Sequence, residues 1–179
     1  RDTQIIFKRA NANEWRRKRG YSALRDLQGL SYADHISPMV LLTINTGLRR
    51  GEVFDLTWDH VSFQARTVHV VGEKSKSGQT RHVPLNDGAV SVLKAWRAQG
   101  EGVGLVFPGK DDKRLGHVKT AWKTVLKASG LDHPVTHPLH FRWHDLRHDF
   151  ASKLVVAGVP LNTVRELLGH ADLTTTLRY

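Results

Sequence analysis

"WHDLRHDFASKLVVAGVPLNTVRELLGHADLTTTLRY", residues 143–179, decides how the rest of the chain is read. Leu146, Phe150 and Leu154 recur four residues apart, the repeat of one helical face, and Gly158 supplies the stop. "PLNTVRELLG" (160–169) predicts a second helix, and "DLTTTLRY" (172–179) a last one begun by Asp172. Upstream, "SYADHISPMVLLTINTG" (31–47) predicts a buried helix carrying Met39, Leu41, Leu42 and Ile44, closed by Gly47. "RRGEVFDLTW" (49–58) adds a short helix with Val53, Leu56 and Trp58 turned inward.

The period changes in the middle of the chain. "TVHVV" (67–71) and "TRHVPL" (80–85) alternate, and "GEKSKSGQ" (72–79) between them has turn composition, so a β-hairpin is expected, with "VSFQ" (61–64) as a short third strand. "NDGAVSVLKAWRAQ" (86–99) predicts an amphipathic helix started by Asn86 or Asp87 and stopped by Gly100. "GLVFPGKDDKRLG" (104–116) reads as a strand stub and loop, and "HVKTAWKTVLKASG" (117–130) as a helix with Val118, Trp122, Val125 and Leu126 on one side. The sum is a mainly α fold with one small antiparallel β-sheet.

The chain's 179 residues, 40% hydrophobic and 25% charged, suit one globular domain. Lys and Arg number 27 against 17 Asp and Glu, a formal charge of +10, which favours polyanionic partners and nucleic acid first among them. The absence of cysteine excludes disulfides and Cys-based zinc sites. No run of the roughly 18 apolar residues that a membrane span needs is present. Residues 1–20 read as an exposed basic lead-in with Arg16, Arg17, Lys18 and Arg19. Met39 is the only methionine and the chain opens at Arg1, so a segment of a longer polypeptide is expected.

"HDLRH" puts His144 and His148 one helical turn apart with Arg147 between them. That spacing is shared with the HExxH zinc motif, with His140 or His170 as a third ligand, so a zinc-dependent hydrolase is one reading of the pair. Asp145 in place of Glu, and an arginine that would repel a dication, weigh against it. In isolation each histidine reads as an ordinary core or surface residue. The company differs: "TGLRRGE" offers Arg49 and Glu52, the hairpin turn offers Lys74 and Lys76, "LGH" offers His170, and Tyr179 follows nine residues later.

In this order and spacing the chain resembles the catalytic domain of the tyrosine recombinases, the phage integrase family. The family's marks are an arginine in "TGLRxxE", a hairpin lysine before "R-x-VP", then "HxLRH", "LGH" and a tyrosine. The resemblance spans essentially the whole chain. It implies a fold similar to the type IB topoisomerase catalytic core, and a site of Arg49, Lys76, His144, Arg147 and His170 with Tyr179 as nucleophile. Lys76 is preferred to Lys74 by its distance from "RHVPL", and Lys74 is expected to contact DNA. Glu52 and His148 are expected to play supporting parts.

Chemistry agrees with these roles. Two planar guanidiniums can clamp the non-bridging oxygens of a phosphodiester under attack, which suits Arg49 and Arg147. A phenol with a pKa near 10 needs a base, for which His144 is the first candidate, and the departing 5′ oxygen needs a proton, which Lys76 can bring. Lys119, Lys123 and Lys127 form a basic stripe at helical spacing; in this family the helix before "HxLRH" approaches the major groove, so Lys119 and above all Lys123 are expected to contact DNA. His133, His137 and His140 read as loop residues.

The resemblance implies site-specific DNA recombination through a 3′-phosphotyrosyl intermediate and a Holliday junction, with no cofactor and no metal. Double-stranded DNA is the expected partner, with a homotetramer on two sites for the full-length protein, compatible with accessory DNA-bending proteins, no membrane partner, and a cytoplasmic location in a bacterial or phage-infected cell. The chain is expected to be one catalytic domain, 1–179, lacking the family's N-terminal core-binding domain and the tail beyond the tyrosine, and hence monomeric and weakly active by itself. Relaxation of supercoils in the manner of a type IB topoisomerase, and DNA binding without catalysis, are functions that the same pattern also accommodates.

Overall fold

A computed structural model describes residues 1–72 and 80–179. Its helices are α1 (Asp2–Arg17), α2 (Ile36–Thr46), α3 (Arg50–Asp55), α4 (Asp87–Arg97), α5 (Lys119–Ala128), α6 (Asp145–Val156) and α7 (Leu161–Leu168). Between α3 and α4, among the described residues, run three antiparallel strands in sequence order, β1 (Val61–Ser62), β2 (Thr67–Val70) and β3 (Arg81–Pro84). Val68 pairs with Val83, His69 with His82 and Val70 with Arg81. Lys74 and Lys76 lie outside the described residues.

α2 is the central helix, packed against both α4 and α6. Its residues Ile36, Met39 and Leu42 are completely buried and join Leu48, Val53, Phe54, Leu93, Phe107 and Leu146 in the main core. Leu41, expected inward, remains 38% exposed, because two flanking helices cover only part of α2's circumference. Val53, Leu56 and Trp58 are buried as their spacing predicts. A smaller cluster of Ala151, Val164 and Leu168 joins α6 to α7, with Phe150, Leu154 and Tyr179 packed on it.

Local chemistry accounts for most boundaries. The Asn86 side chain caps α4 by accepting the Ala89 N–H at 2.8 Å. The expected strand stub is a single bridge between Thr57 and Leu105. On α5, Leu126 is buried and Trp122 meets Trp143 edge-on at 5.1 Å, leaving Lys119, Lys123 and Lys127 on the exposed side.

Two expectations need correction. The lead-in is a helix for most of its length: α1 is fixed by Arg1, which bonds Asp34 and Ser37, and by buried Asn13, which exchanges hydrogen bonds with the Leu24 backbone at 2.8 and 2.9 Å. Those partners lie beyond the local window, so a polar helix without a strong apolar stripe leaves no clear mark in the sequence. Arg17, Lys18 and Arg19 are exposed, as expected. The last helix is only a 3-10 turn, Leu173–Thr175. Asp172 accepts the Thr174 N–H at 2.9 Å and hydroxyl at 3.0 Å, and three consecutive β-branched threonines do little to extend the turn.

Gly47 ends α2 with φ 64°, and a β-carbon there would collide with the Phe150 ring on α6. Gly47→Ala therefore combines left-handed strain with overpacking and is expected to cost about 2–4 kcal/mol. Gly20→Ala, at φ 71° with open space around it, carries the strain alone and is expected to cost about 1–2 kcal/mol. Urea unfolding of both variants checks this; equal losses would mean that the Phe150 contact does not matter.

Candidate active site

The end of α7 gathers three arginines from distant parts of the chain. A helix's last carbonyls lack intrahelical partners and carry the negative end of its dipole. Here Leu167 O accepts Arg81 Nε at 2.9 Å, Leu168 O accepts Arg147 Nη2, and Gly169 O accepts Arg49 Nη2 at 2.7 Å. Gly169 turns the chain at φ 62°, and a β-carbon there would lie 2.9 Å from Arg81 Nη1. Arg147 donates a second bond, 2.7 Å, to Gly47 O, the carbonyl at the end of α2.

Glu52 on α3 balances this charge. Its Oε1 accepts Arg49 Nη1 and Arg81 Nη1, both at 2.9 Å, while Oε2 accepts the Arg49 backbone N–H and Arg81 Nη2, both at 2.8 Å. Burial would raise its carboxyl pKa, but the hydrogen bonds and charge of Arg81, then the bonds from Arg49, hold it below the ordinary value. Arg147 is 1% exposed, and burial together with the neighbouring Arg49 pulls its pKa down to about 9, which leaves it charged at neutral pH.

The histidines and the tyrosine lie beside this cluster. Tyr179 Oη is 2.5 Å from His148 Nδ1. The His144 ring stands perpendicular to that of His148 with centroids 4.8 Å apart. The sequence makes His144 the first candidate to meet the phenol, yet His148, one turn further along α6, makes the contact. The His148 pKa is lowered by burial and then by Arg178, and that of His144 by loss of solvent and then by His148 and Arg147. Both shifts favour the neutral ring, and with its proton on Nε2 His148 accepts the phenol's hydrogen bond at Nδ1.

His170 follows Gly169 directly, and its Nδ1 lies 2.9 Å from the hydroxyl of completely buried Thr176. Burial, then Arg147 and Arg49, push its pKa down to about 4. Thus Arg49, Glu52, Arg147, His170, His148, His144 and Tyr179 form one neighbourhood. Lys119 and Lys123 stand apart from these contacts on α5, and His133, His137 and His140 belong to the loop before α6. Among the described residues no group of three His, Asp or Glu side chains converges to hold a metal ion, so the third ligand required by the zinc reading is not assembled there.

Arg81 is absent from the site that the motifs define, although the sequence carries a signal for it. It shares a strand face with Val83, so a charged group is directed inward among apolar ones and requires a buried partner. Thr176, the partner of His170, has no such signal.

The fold is that of tyrosine recombinase catalytic domains. The integrase of transposon Tn1549 superposes with a TM-score of 0.68 at 21% identity, covering 86% of this chain and 57% of that one. The catalytic domain of the bacteriophage HP1 integrase gives 0.57 at 19% identity, covering 98% and 83%. The chain belongs to the phage integrase family, whose signature matches residues 24–179. It is 32% identical over 155 residues to the integrase of Salmonella phage P22, covering 80% of this chain and 38% of that protein. It is 37% identical over 140 residues to the tyrosine recombinase XerC of Xylella fastidiosa, covering 77% and 45%. The chain therefore spans less than half the length of these two relatives.

A histidine with a depressed pKa disfavours its own protonation in the fold. Its contribution to stability is complete above the unfolded value and is lost as pH falls through the folded one. For His170 that window runs from 6.5 down to about 4. Urea midpoints of the wild type are expected to fall across it, and His170→Gln to reduce the slope without abolishing it, since His35, His144 and His148 are also depressed. An unchanged slope in the variant would refute the assignment to His170.

Proposed function

We propose that the chain is the catalytic domain of a site-specific DNA recombinase that cuts and rejoins strands through Tyr179. The support is the contact between Tyr179 Oη and His148 Nδ1, 2.5 Å, beside a buried cluster of arginines. A neutral imidazole accepts the phenol's proton as Oη attacks a backbone phosphorus. The Oη–P bond forms, the bond from phosphorus to the 5′ oxygen breaks, and a proton reaches that oxygen as a free 5′ hydroxyl leaves. The product is a 3′-phosphotyrosyl ester, which a 5′ hydroxyl from a partner strand attacks in reverse. His148 takes the base role in this reading, with His144 and His170 as hydrogen-bond donors to the phosphate.

Arg49 and Arg147 would hold the non-bridging oxygens. Each guanidinium has five N–H donors and, among the described residues, spends two of them on the bonds described above, which leaves donors there for charge that grows in the transition state. Lys76 would protonate the leaving oxygen and Lys74 would bind the backbone; both roles rest on the family resemblance. Lys119 and Lys123, exposed on one side of α5, would contact phosphates. The Tn1549 integrase has been solved with circular intermediate DNA, and duplex DNA is the partner proposed here. A tetramer on two sites and a cytoplasmic setting complete the reading. Among the described residues no helix is long and apolar enough to cross a membrane.

Relaxation of supercoiled plasmid in excess EDTA tests the chemistry without knowledge of the target site. Wild-type protein is expected to relax the plasmid and to be trapped covalently on DNA, and Tyr179→Phe to do neither. Relaxation by the phenylalanine variant would eliminate Tyr179 as the nucleophile. Strand exchange between two sites would separate recombination from topoisomerase-like relaxation.

DNA binding gives a second check. Lys123→Ala is expected to weaken binding similarly across sequences and to reduce the slope of log K against log salt by about 1, one phosphate contact. An unchanged slope would place α5 away from the backbone.

A further inference from the structure

Glu52 faces two arginines, and the way it divides its oxygens between them has a functional consequence. A carboxylate offers about four acceptor sites and pairs with a guanidinium most strongly as a fork on a fork. Arg81 receives that arrangement, with Nη1 and Nη2 each on one oxygen at 2.9 and 2.8 Å. Arg49 makes one side-chain bond to Glu52, through Nη1, and its backbone N–H takes the remaining position. Arg81 and Glu52 are 8% and 5% exposed at their side chains, against 22% for Arg49. The buried arginine is thus committed to the carboxylate, and the more open one is only partly engaged.

We propose that Arg81 is a positioning residue for Arg49: by occupying Glu52 as a fork, it prevents the carboxylate from capturing the Arg49 guanidinium and leaves Arg49 donors for a phosphate. The proposal rests on the recombinase reading for the identity of that phosphate. Arg81 also bonds Leu167 O through Nε, one residue before the carbonyl that holds Arg147 and two before the one that holds Arg49. A single side chain on β3 thereby sets the distance between α3 and the end of α7. Without it, Glu52 would have two oxygens for Arg49 alone. The resulting fork would draw Arg49 inward and cancel its charge.

The test uses Arg81→Met, which keeps length and removes charge, and Arg81→Lys, which keeps charge and cannot form the fork. Both are compared with wild type for unfolding midpoint, plasmid relaxation between pH 5 and 8, and titration of the Glu52 carboxyl by carbon-13 NMR, assigned with Glu52→Gln. Arg81→Met is expected to raise the Glu52 pKa and to lower relaxation about tenfold or more, the scale of loss from a misplaced catalytic group. Arg81→Lys should restore part of that loss. On a Glu52→Gln background, Arg81→Met should cost less than about twofold further, because there is no longer a carboxylate to capture Arg49.

Folded Arg81→Met relaxing plasmid within twofold of wild type at every pH would overturn the proposal. So would an unchanged Glu52 titration, which reads the pairing whether or not the protein cuts DNA. If Arg81→Met does not fold, Arg81→Lys decides, and wild-type relaxation by it would show that the fork is unnecessary. Failure of wild type itself to form a Tyr179 ester would instead sink the claim that this chain is competent alone, leaving the NMR titration to judge the pairing.

Discussion

The negative end of α7 is where the molecule is held together around its site. Leu167, Leu168 and Gly169 present successive carbonyls, and each receives one guanidinium, from Arg81, Arg147 and Arg49 in turn. A helix terminus alone offers only partial charge, so three full positive charges there would repel one another. Glu52 makes the arrangement tolerable by supplying a whole negative charge to two of the three. The remaining excess is positive, which is the electrostatic condition for receiving an anion.

The fold serves this junction. Arg49 precedes α3, Arg81 opens β3 and Arg147 lies in the first turn of α6, so the cluster fastens three elements to the end of a fourth. Gly47 and Gly169 admit the close approaches, one lying against Phe150 and the other against Arg81, and both contribute their carbonyls. The smaller core of Ala151, Val164 and Leu168 aligns α6 with α7 and extends to Tyr179. Packing of apolar side chains and placement of the phenol are therefore one structural event. Losing the α6–α7 contact would displace the tyrosine and the arginine cluster together.

The degree to which the site is legible in the sequence follows from the range of each interaction. Helices with strong local signals are legible: α2 through its apolar run and Gly47, α4 through Asn86, and the strands through alternation. α1 is not, because its anchors, Asp34, Ser37 and Leu24, lie well outside a helical window. The turn at Leu173–Thr175 reads as a longer helix than it is because an N-cap signal at Asp172 says where a helix can begin, not whether threonines will sustain it. Arg81 enters the motifs only as the arginine of "R-x-VP" that marks the hairpin lysine; its own role escapes them because it depends on Glu52 and Leu167, which are 29 and 86 residues away.

By itself the sequence determined which kinds of group were available and in what order: guanidiniums after "TGL" and within "HDLRH", a histidine after a helix-ending glycine, and a tyrosine nine residues beyond it. Composition and local periodicity are properties of neighbours along the chain, so they carry that far. Tertiary structure decided which of two histidines one turn apart meets the phenol and which arginine takes the carboxylate as a fork. Those outcomes depend on ångström-scale distances between elements that pack only when the chain has closed on itself, and hydrogen-bond energy falls steeply with such distances.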